Sequence, residues 1–161
     1  MAQHLEKEFT ERIDQNRGII YKVIRLYIHH EDDEKDLFQE ILFQAWRSYP
    51  RFLGQSKFST WLYRVALNTV LTFKRRAKLI EPHEDMSRFN AISTLGNRNE
   101  ESDALYVAIR MLTEIDRMIV TLHLDGYENE EIAEIIGITK NNTAVKLHRI
   151  KETLTKKLNA I

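Results

Sequence analysis

With 161 residues, 24 Lys+Arg balanced by 24 Asp+Glu, five glycines, two prolines and no cysteine, the chain suits one ordinary domain or two small ones. Scattered glycines exclude a phosphate-cradling loop, and the missing thiols exclude disulfides, thiolate zinc sites and cysteine nucleophiles. No apolar run approaches the roughly 18 residues of a membrane span, and the opening MAQHLEKEFTER carries no signal-type apolar stretch, so a cytoplasmic, all-α protein without membrane insertion is expected.

In chain order, Leu5 to Tyr27 places Ile13, Ile20, Val23, Ile24 and Tyr27 at helical spacing, which His29 to Asp33 breaks. From about Glu34 to Tyr49, the residues Leu37, Phe38, Ile41, Leu42, Ala45 and Trp46 recur as the inward stripe of a second helix. Pro50 ends it, because the residue before proline is pushed out of the α region. Arg51 to Lys57, with Gly54, reads as a loop. Ser59 is placed to cap a helix with the expected buried stripe Leu62, Val65, Ala66, Thr69 and Phe73, fading into Lys74, Arg75 and Arg76. Residues 81–102 are polar, contain Pro82 and Gly96, keep no period, and predict a flexible linker. Ala104 to Leu112, Glu114 to Leu124 and Ile132 to Ile136 predict further helices. The expected organisation is a helical domain over 5–80, the linker, and a second helical domain over 103–161.

The neutral total conceals strong segregation of charge. Glu31, Asp32, Asp33, Glu34, Asp36 and Glu40 face only Lys35. Ile41 to Ile80 contains no acid, against Arg47, Arg51, Lys57, Arg64, Lys74, Arg75, Arg76 and Lys78. Residues 81–103 turn acidic again, and from Thr139 onward Lys140, Lys146, Arg149, Lys151, Lys156 and Lys157 face only Glu152. Two basic segments are candidate anion-binding surfaces.

The second of them has the form of a helix-turn-helix. Ile132, Ala133 and Ile136 make an inward stripe, Gly137 can take the left-handed turn, Ile138 plugs the corner and Thr139 can cap the following helix. There Thr143, Leu147, Ile150, Leu154 and Leu158 share one face, and Asn142, Lys146, Arg149 and Thr153 are expected on the other. Amides for base edges beside bases for phosphate are what a major-groove helix needs. An ordinary helical hairpin with a solvated face is the plain alternative.

In the first half, Asp36, Gln39 and Glu40 share the edge outside the apolar stripe. Like charges four residues apart repel unless a cation is supplied, which a basic protein partner would do. A solvated acidic face fits the spacing equally well. The helix after Ser59 lines up Trp61, Arg64, Asn68, Thr72 and Arg75, with Phe58, Trp61 and Tyr63 at its start. Aromatics interleaved with bases suit unstacked nucleotides, although such clusters also form cores.

Three runs together, DLFQEILFQAW (Asp36–Trp46), FLGQSKFSTWLYRVALN (Phe52–Asn68) and the helix-turn-helix ending at Arg149, resemble a bacterial RNA polymerase sigma factor of the extracytoplasmic-function type. The resemblance runs in order from about Phe9 to Leu158, with only the linker unmatched. It implies a protein that is not an enzyme, needs no cofactor or metal, and supplies promoter specificity to core RNA polymerase. Asp36, Gln39, Glu40 and Gln44 would bind the polymerase clamp. Ser56, Lys57 and Phe58 in the loop, with Trp61, Arg64, Asn68, Thr72 and Arg75, would open and read the −10 element of promoter DNA. Lys140, Asn141, Asn142, Lys146 and Arg149 would read the −35 element as duplex. The loose linker would leave the two domains open to clamping by an anti-sigma factor. The rival readings are a stand-alone helix-turn-helix regulator, which leaves the aromatic and basic run Arg51–Arg76 unexplained, and an enzyme using His29, His30 and the acids after them as a metal cluster. Neighbouring side chains on one segment diverge too far to enclose a cation.

Overall fold

Asn16 divides the first helical stretch. The computed structural model describes residues 1–80 and 100–160, and in it α1 (Ala2–Gln15) stops where Asn16 leaves the helical region at φ −124° and α2 (Arg17–Tyr27) starts. The Asn16 side-chain amide donates to the Arg12 carbonyl at 2.7 Å, the local competition with helix hydrogen bonding that asparagine offers. α3 (Glu31–Ser48) begins three residues earlier than the apolar period predicts. Its first turn holds Glu31, Asp32, Asp33 and Glu34, acids that the positive end of the helix dipole favours. Pro50 does not open a loop directly: Tyr49–Arg51 forms a 3-10 turn with Pro50 in its first positions, where no N–H donor is needed, and the Phe52 N–H donates to the Tyr49 carbonyl.

α4 (Phe58–Ile80) places Ser59 inside its first turn rather than at the cap, and the backbone N–H of Trp61 donates to the Lys57 carbonyl at 3.1 Å. Its buried residues are Thr60, Leu62, Tyr63, Ala66, Leu67 and Val70, whereas Val65, Thr69 and Phe73 are only half-buried. The expected stripe is therefore rotated, because α4 packs against both α2 and α3 and needs a wider apolar arc. Ile20, Val23, Ile24, Leu37, Ile41, Leu62, Ala66 and Val70 fill the centre of this bundle. α1 stands apart, burying only Phe9 and Ile13.

Chain contacts divide the protein into two units, Met1–Phe89 and Asn90–Ile161. The expected linker lies outside the described residues up to position 99, and its last residues instead belong to α5 (Glu100–Arg110). In the second unit α6 (Glu114–Leu124), α7 (Asn129–Ile136) and α5 all pack on α8 (Lys140–Asn159). Arg117 is buried there, and its guanidinium donates to the Arg110 carbonyl at 2.8 Å and the Leu112 carbonyl at 3.4 Å. It thereby satisfies carbonyls that the end of α5 would otherwise leave open. Among the described residues the structure is all-α, with no strand.

Candidate nucleic-acid and polymerase interface

α3 sets out its polar edge as its spacing dictates. Asp36, Gln39 and Glu40 are exposed and Gln44 is half-buried, with the Gln44 amide donating to the Glu40 carboxylate at 2.9 Å. Lys35 pairs with Glu31 at 3.6 Å on the exposed helix and supplies nothing to Asp36 or Glu40 by that contact. The apolar side of α3 is not as expected at its end. Leu37, Phe38, Ile41 and Ala45 are buried, but Leu42 is half-buried and Trp46 is 40% exposed. Phe43, outside the predicted stripe, is 57% exposed. Gln39, Leu42, Phe43 and Trp46 line an open groove of about 360 Å³ against Phe9 and Ile13 of α1, with Thr10, Asp14 and Arg17 also on its lining. Through Gln39 the acidic edge thus borders a largely apolar trough, a combination that charge spacing alone does not reveal.

The start of α4 is built on rings. Phe52, Phe58 and Trp61 pack around Tyr49, with Trp61 centred 5.1 Å from Phe52 and 5.3 Å from Phe58. Trp61 is half-buried within this cluster and does not stand free as a stacking platform. Tyr49 is buried, and its hydroxyl donates to the Glu8 carboxylate at 2.8 Å. Burial first, then this hydrogen bond, raise its phenol above the ordinary value of 10.0, against the opposing pull of the Arg12 guanidinium.

Beyond the rings, Arg64, Asn68, Thr72 and Arg75 are all exposed along α4, in agreement with the spacing. Asn68 does more than face outward. With Val65 and Thr69 it lines a recess of about 330 Å³ whose other wall is Gln44, Arg47, Ser48 and Arg51. That volume falls at the lower end of small-molecule sites, which run about 300–1,000 Å³. Two arginines, a glutamine and an asparagine therefore line one opening. The loop residues Ser56 and Lys57 do not line it; Ser56 is half-buried and Lys57 exposed. Arg47 and Arg51 belong to the acid-free run, and that run was the one sequence signal that could have marked them.

In the second unit the turn forms as its chemistry requires. Gly137 sits at φ 85° and its N–H donates to the Ala133 carbonyl at 2.8 Å; the Thr139 hydroxyl accepts from the Asn142 N–H at 3.0 Å. The inward stripe of α7 is Ile132, Ala133 and Ile135, while Ile136 is half-buried, and Leu158 is half-buried near the end of α8. Lys140, Asn141, Asn142, Arg149 and Thr153 are exposed. Lys146 lies on the flank of the helix rather than opposite the core. Its ammonium stands 3.8 Å from the Asp116 carboxylate of α6, and it is half-buried. The centre of the outer face is Val145, 43% exposed.

Among the described residues no group of His and acidic side chains could hold a metal, and no helix is long and apolar enough to cross a membrane.

Comparison with known proteins agrees with this geometry. The family model for sigma-70 region 2 matches residues 12–80, and that for sigma-70 region 4 matches residues 102–154. The chain is 30% identical over 168 aligned positions to the ECF RNA polymerase sigma-E factor of Escherichia coli, covering 95% of this chain and 87% of the relative. It is 26% identical to the sigma-E factor of Haemophilus influenzae, covering 95% of this chain and 88% of that protein. The sigma factor RpoE from Bartonella quintana, solved with the anti-sigma factor NepR, has the same fold, with TM-score 0.71, 18% identity and coverage of 95% and 98% of the two chains. CnrH, solved with the cytosolic domain of CnrY, aligns with TM-score 0.61 at 21% identity over 99% of this chain and 94% of its own. The protein belongs to the ECF RNA polymerase sigma factors.

Proposed function

We propose that this sigma factor divides promoter-directed transcription initiation among the three surfaces. The first unit docks on core RNA polymerase through Asp36, Gln39, Glu40 and Gln44, extended by the apolar trough at Phe43 and Trp46. The acidic edge supplies charge complementarity and the trough supplies apolar area. The second unit reads duplex −35 DNA through α8, with Asn142 toward base edges and Lys140, Asn141, Lys146 and Arg149 toward backbone and bases. The recess at Asn68 takes one base extruded from the −10 element. Arg64 and Arg75 hold phosphates beside it, and the loop with Ser56, Lys57 and Phe58 shapes its approach. Each step is binding rather than bond-making, in a cytoplasmic protein whose activity an anti-sigma factor can block by covering the α3 trough.

The observation that carries this reading is the meeting of Asn68, Gln44, Arg47 and Arg51 around one opening. Extruding a base costs a few kcal/mol, repaid by hydrogen bonds to its edge and by the guanidiniums beside its phosphates. A stand-alone regulator has no use for that recess. Replacing Asn68 by Ala is expected to leave core binding and −35 affinity unchanged, to reduce opening of duplex promoters, and to relax preference at one −10 position. A template already unpaired across the −10 element recovers part of the loss. Equal permanganate reactivity of thymines in both holoenzymes, with the base preference unmoved, would remove Asn68 from the site.

A further inference from the structure

α1 holds few apolar anchors, yet two polar residues of one of its turns reach across to the segment that separates α3 from α4. The Arg12 guanidinium lies over the Phe52 ring at 5.9 Å and over the Phe58 ring at 5.7 Å. Those rings are the first and last contacts of the loop 52–58, and they meet each other edge to face at 5.9 Å. Arg12 is itself held by Glu8 at 3.1 Å, and the same Glu8 oxygen accepts from the Tyr49 hydroxyl at 2.8 Å. Tyr49 in turn touches Phe52, Phe58 and Trp61. Next to Glu8 in the chain, Phe9 packs on Trp46 and on Tyr49, both at 5.1 Å. One carboxylate, one guanidinium and one phenol thus close a ring of contacts around the loop's two ends. The loop between them holds only Leu53 to Lys57, exposed or half-buried and turned by Gly54 at φ 70°. A five-residue span of this kind keeps a defined path only if its ends are fixed.

We propose that Glu8 and Arg12 are positioning residues for the base-reading loop: Arg12 clamps Phe52 to Phe58 by cation–π contact, and Glu8 locks Arg12 to Tyr49. This rests on the reading that the loop and the Asn68 recess engage the −10 element. Arg12 need not touch DNA. Its positive charge over two ring faces holds the loop ends together, and its partner Glu8 keeps the guanidinium from turning toward phosphate. Because Phe9, on the same stretch of α1 as Glu8 and Arg12, packs on Trp46 of the trough, whatever docks on the trough meets the same brace.

The test uses the full chain assembled with core polymerase, on a duplex promoter, on the same template unpaired over the −10 element, and on single-stranded −10 oligonucleotides differing at one base. Each exposed cation–π contact is worth a factor of about two to five. Arg12→Gln is therefore expected to lower the base preference about fivefold and to slow opening of the duplex, with core affinity within about twofold of the parent protein. Arg12→Lys keeps a cation over the rings and is expected to recover at least half of the loss. Glu8→Gln still accepts from Tyr49 but loses the ion pair, and falls between them. If Arg12→Gln lowers only thermal stability and leaves the base preference intact, the pair merely fastens α1 and the proposal is overturned. A Ser56→Ala, Lys57→Ala double variant separates the two failures. Should it shift the preference while Arg12→Gln does not, the brace alone is wrong. Should neither it nor Asn68→Ala shift the preference, the −10 reading fails and takes the brace with it.

Discussion

α8 and α4 are both long helices with exposed bases, but they are held in place by different kinds of contact. α8 is set by devices that lie next to it in the chain: the left-handed Gly137, the Thr139 cap and the buried Thr143, whose hydroxyl donates to the Thr139 carbonyl at 3.0 Å. Its register follows from a dozen consecutive residues. α4 has no such local frame. Its start is defined by rings from Tyr49, Phe52, Phe58 and Trp61, by Arg12 from α1, and its recess by Arg47 and Arg51 from α3 and the 3-10 turn. What is fixed by neighbours in sequence can be read from sequence; what is fixed by neighbours in space, such as the ring cluster and the recess of α4, cannot.

The largest expected effect tests whether the first unit is organised around a partner at all. Reversing both charges in Asp36→Lys, Glu40→Lys is expected to weaken core polymerase binding by about 2–5 kcal/mol, the range for losing one side of a desolvated charge pair. Helicity should persist, since both side chains are exposed and an i, i+4 repulsion is merely replaced by another. Competition binding with labelled core enzyme measures it. Undiminished affinity would leave α3 as a solvated acidic face.

That distinction marks how much was readable beforehand. The helices, the turn at Gly137, the cap at Thr139 and the outward line of Arg64, Asn68, Thr72 and Arg75 follow from spacing, because each is a property of one segment. Besides the break at Asn16, the place of Ser59 inside α4 and Lys146 on the flank of α8, three features that shape the site did not follow. Trp46 and Phe43 are exposed because α1 leaves a trough where the apolar period predicts only core for Trp46. The buried arc of α4 turns toward Tyr63, Leu67 and Val70 because two helices press on it, and periodicity gives the width of such an arc poorly. Arg47 and Arg51 join Asn68 only through the crossing of α3 with α4. The legible part of the site is the part carried on single faces.

The comparison sharpens if the two helices respond differently to equivalent cuts. Asn142→Ala on α8 is expected to cost about 1–3 kcal/mol for one base pair of the −35 element and to leave opening of an unpaired template unchanged. Binding to a set of duplexes varied one position at a time, with holoenzyme in place of the isolated unit, gives the measurement. A loss spread evenly over all positions would assign Asn142 to the backbone instead. Gly137→Ala acts earlier, on the frame itself. Nothing lies within 4 Å of the added Cβ, so the cost is the left-handed backbone alone, about 1–2 kcal/mol of stability. Thermal unfolding detects it, and a variant as stable as the parent would mean that the turn relaxes to another conformation.

The smallest effect concerns Lys146, among the described residues the one candidate base on α8 tied to a carboxylate. Its pair with Asp116 at 3.8 Å is half-exposed and worth little, as surface ion pairs are, about 0.2–1 kcal/mol. A phosphate must compete with Asp116 for the same ammonium, so Asp116→Asn is expected to tighten −35 duplex binding by about two- to fivefold and to steepen its salt dependence by up to about one counterion. Removing an acid near DNA tightens binding by simple repulsion as well, and a double-mutant cycle separates the two causes. In a Lys146→Met background the gain from Asp116→Asn should shrink to whatever repulsion supplies. An undiminished gain there would show that Asp116 acts on the DNA directly, and that Lys146 is held against α6 for packing and takes no part in reading the promoter.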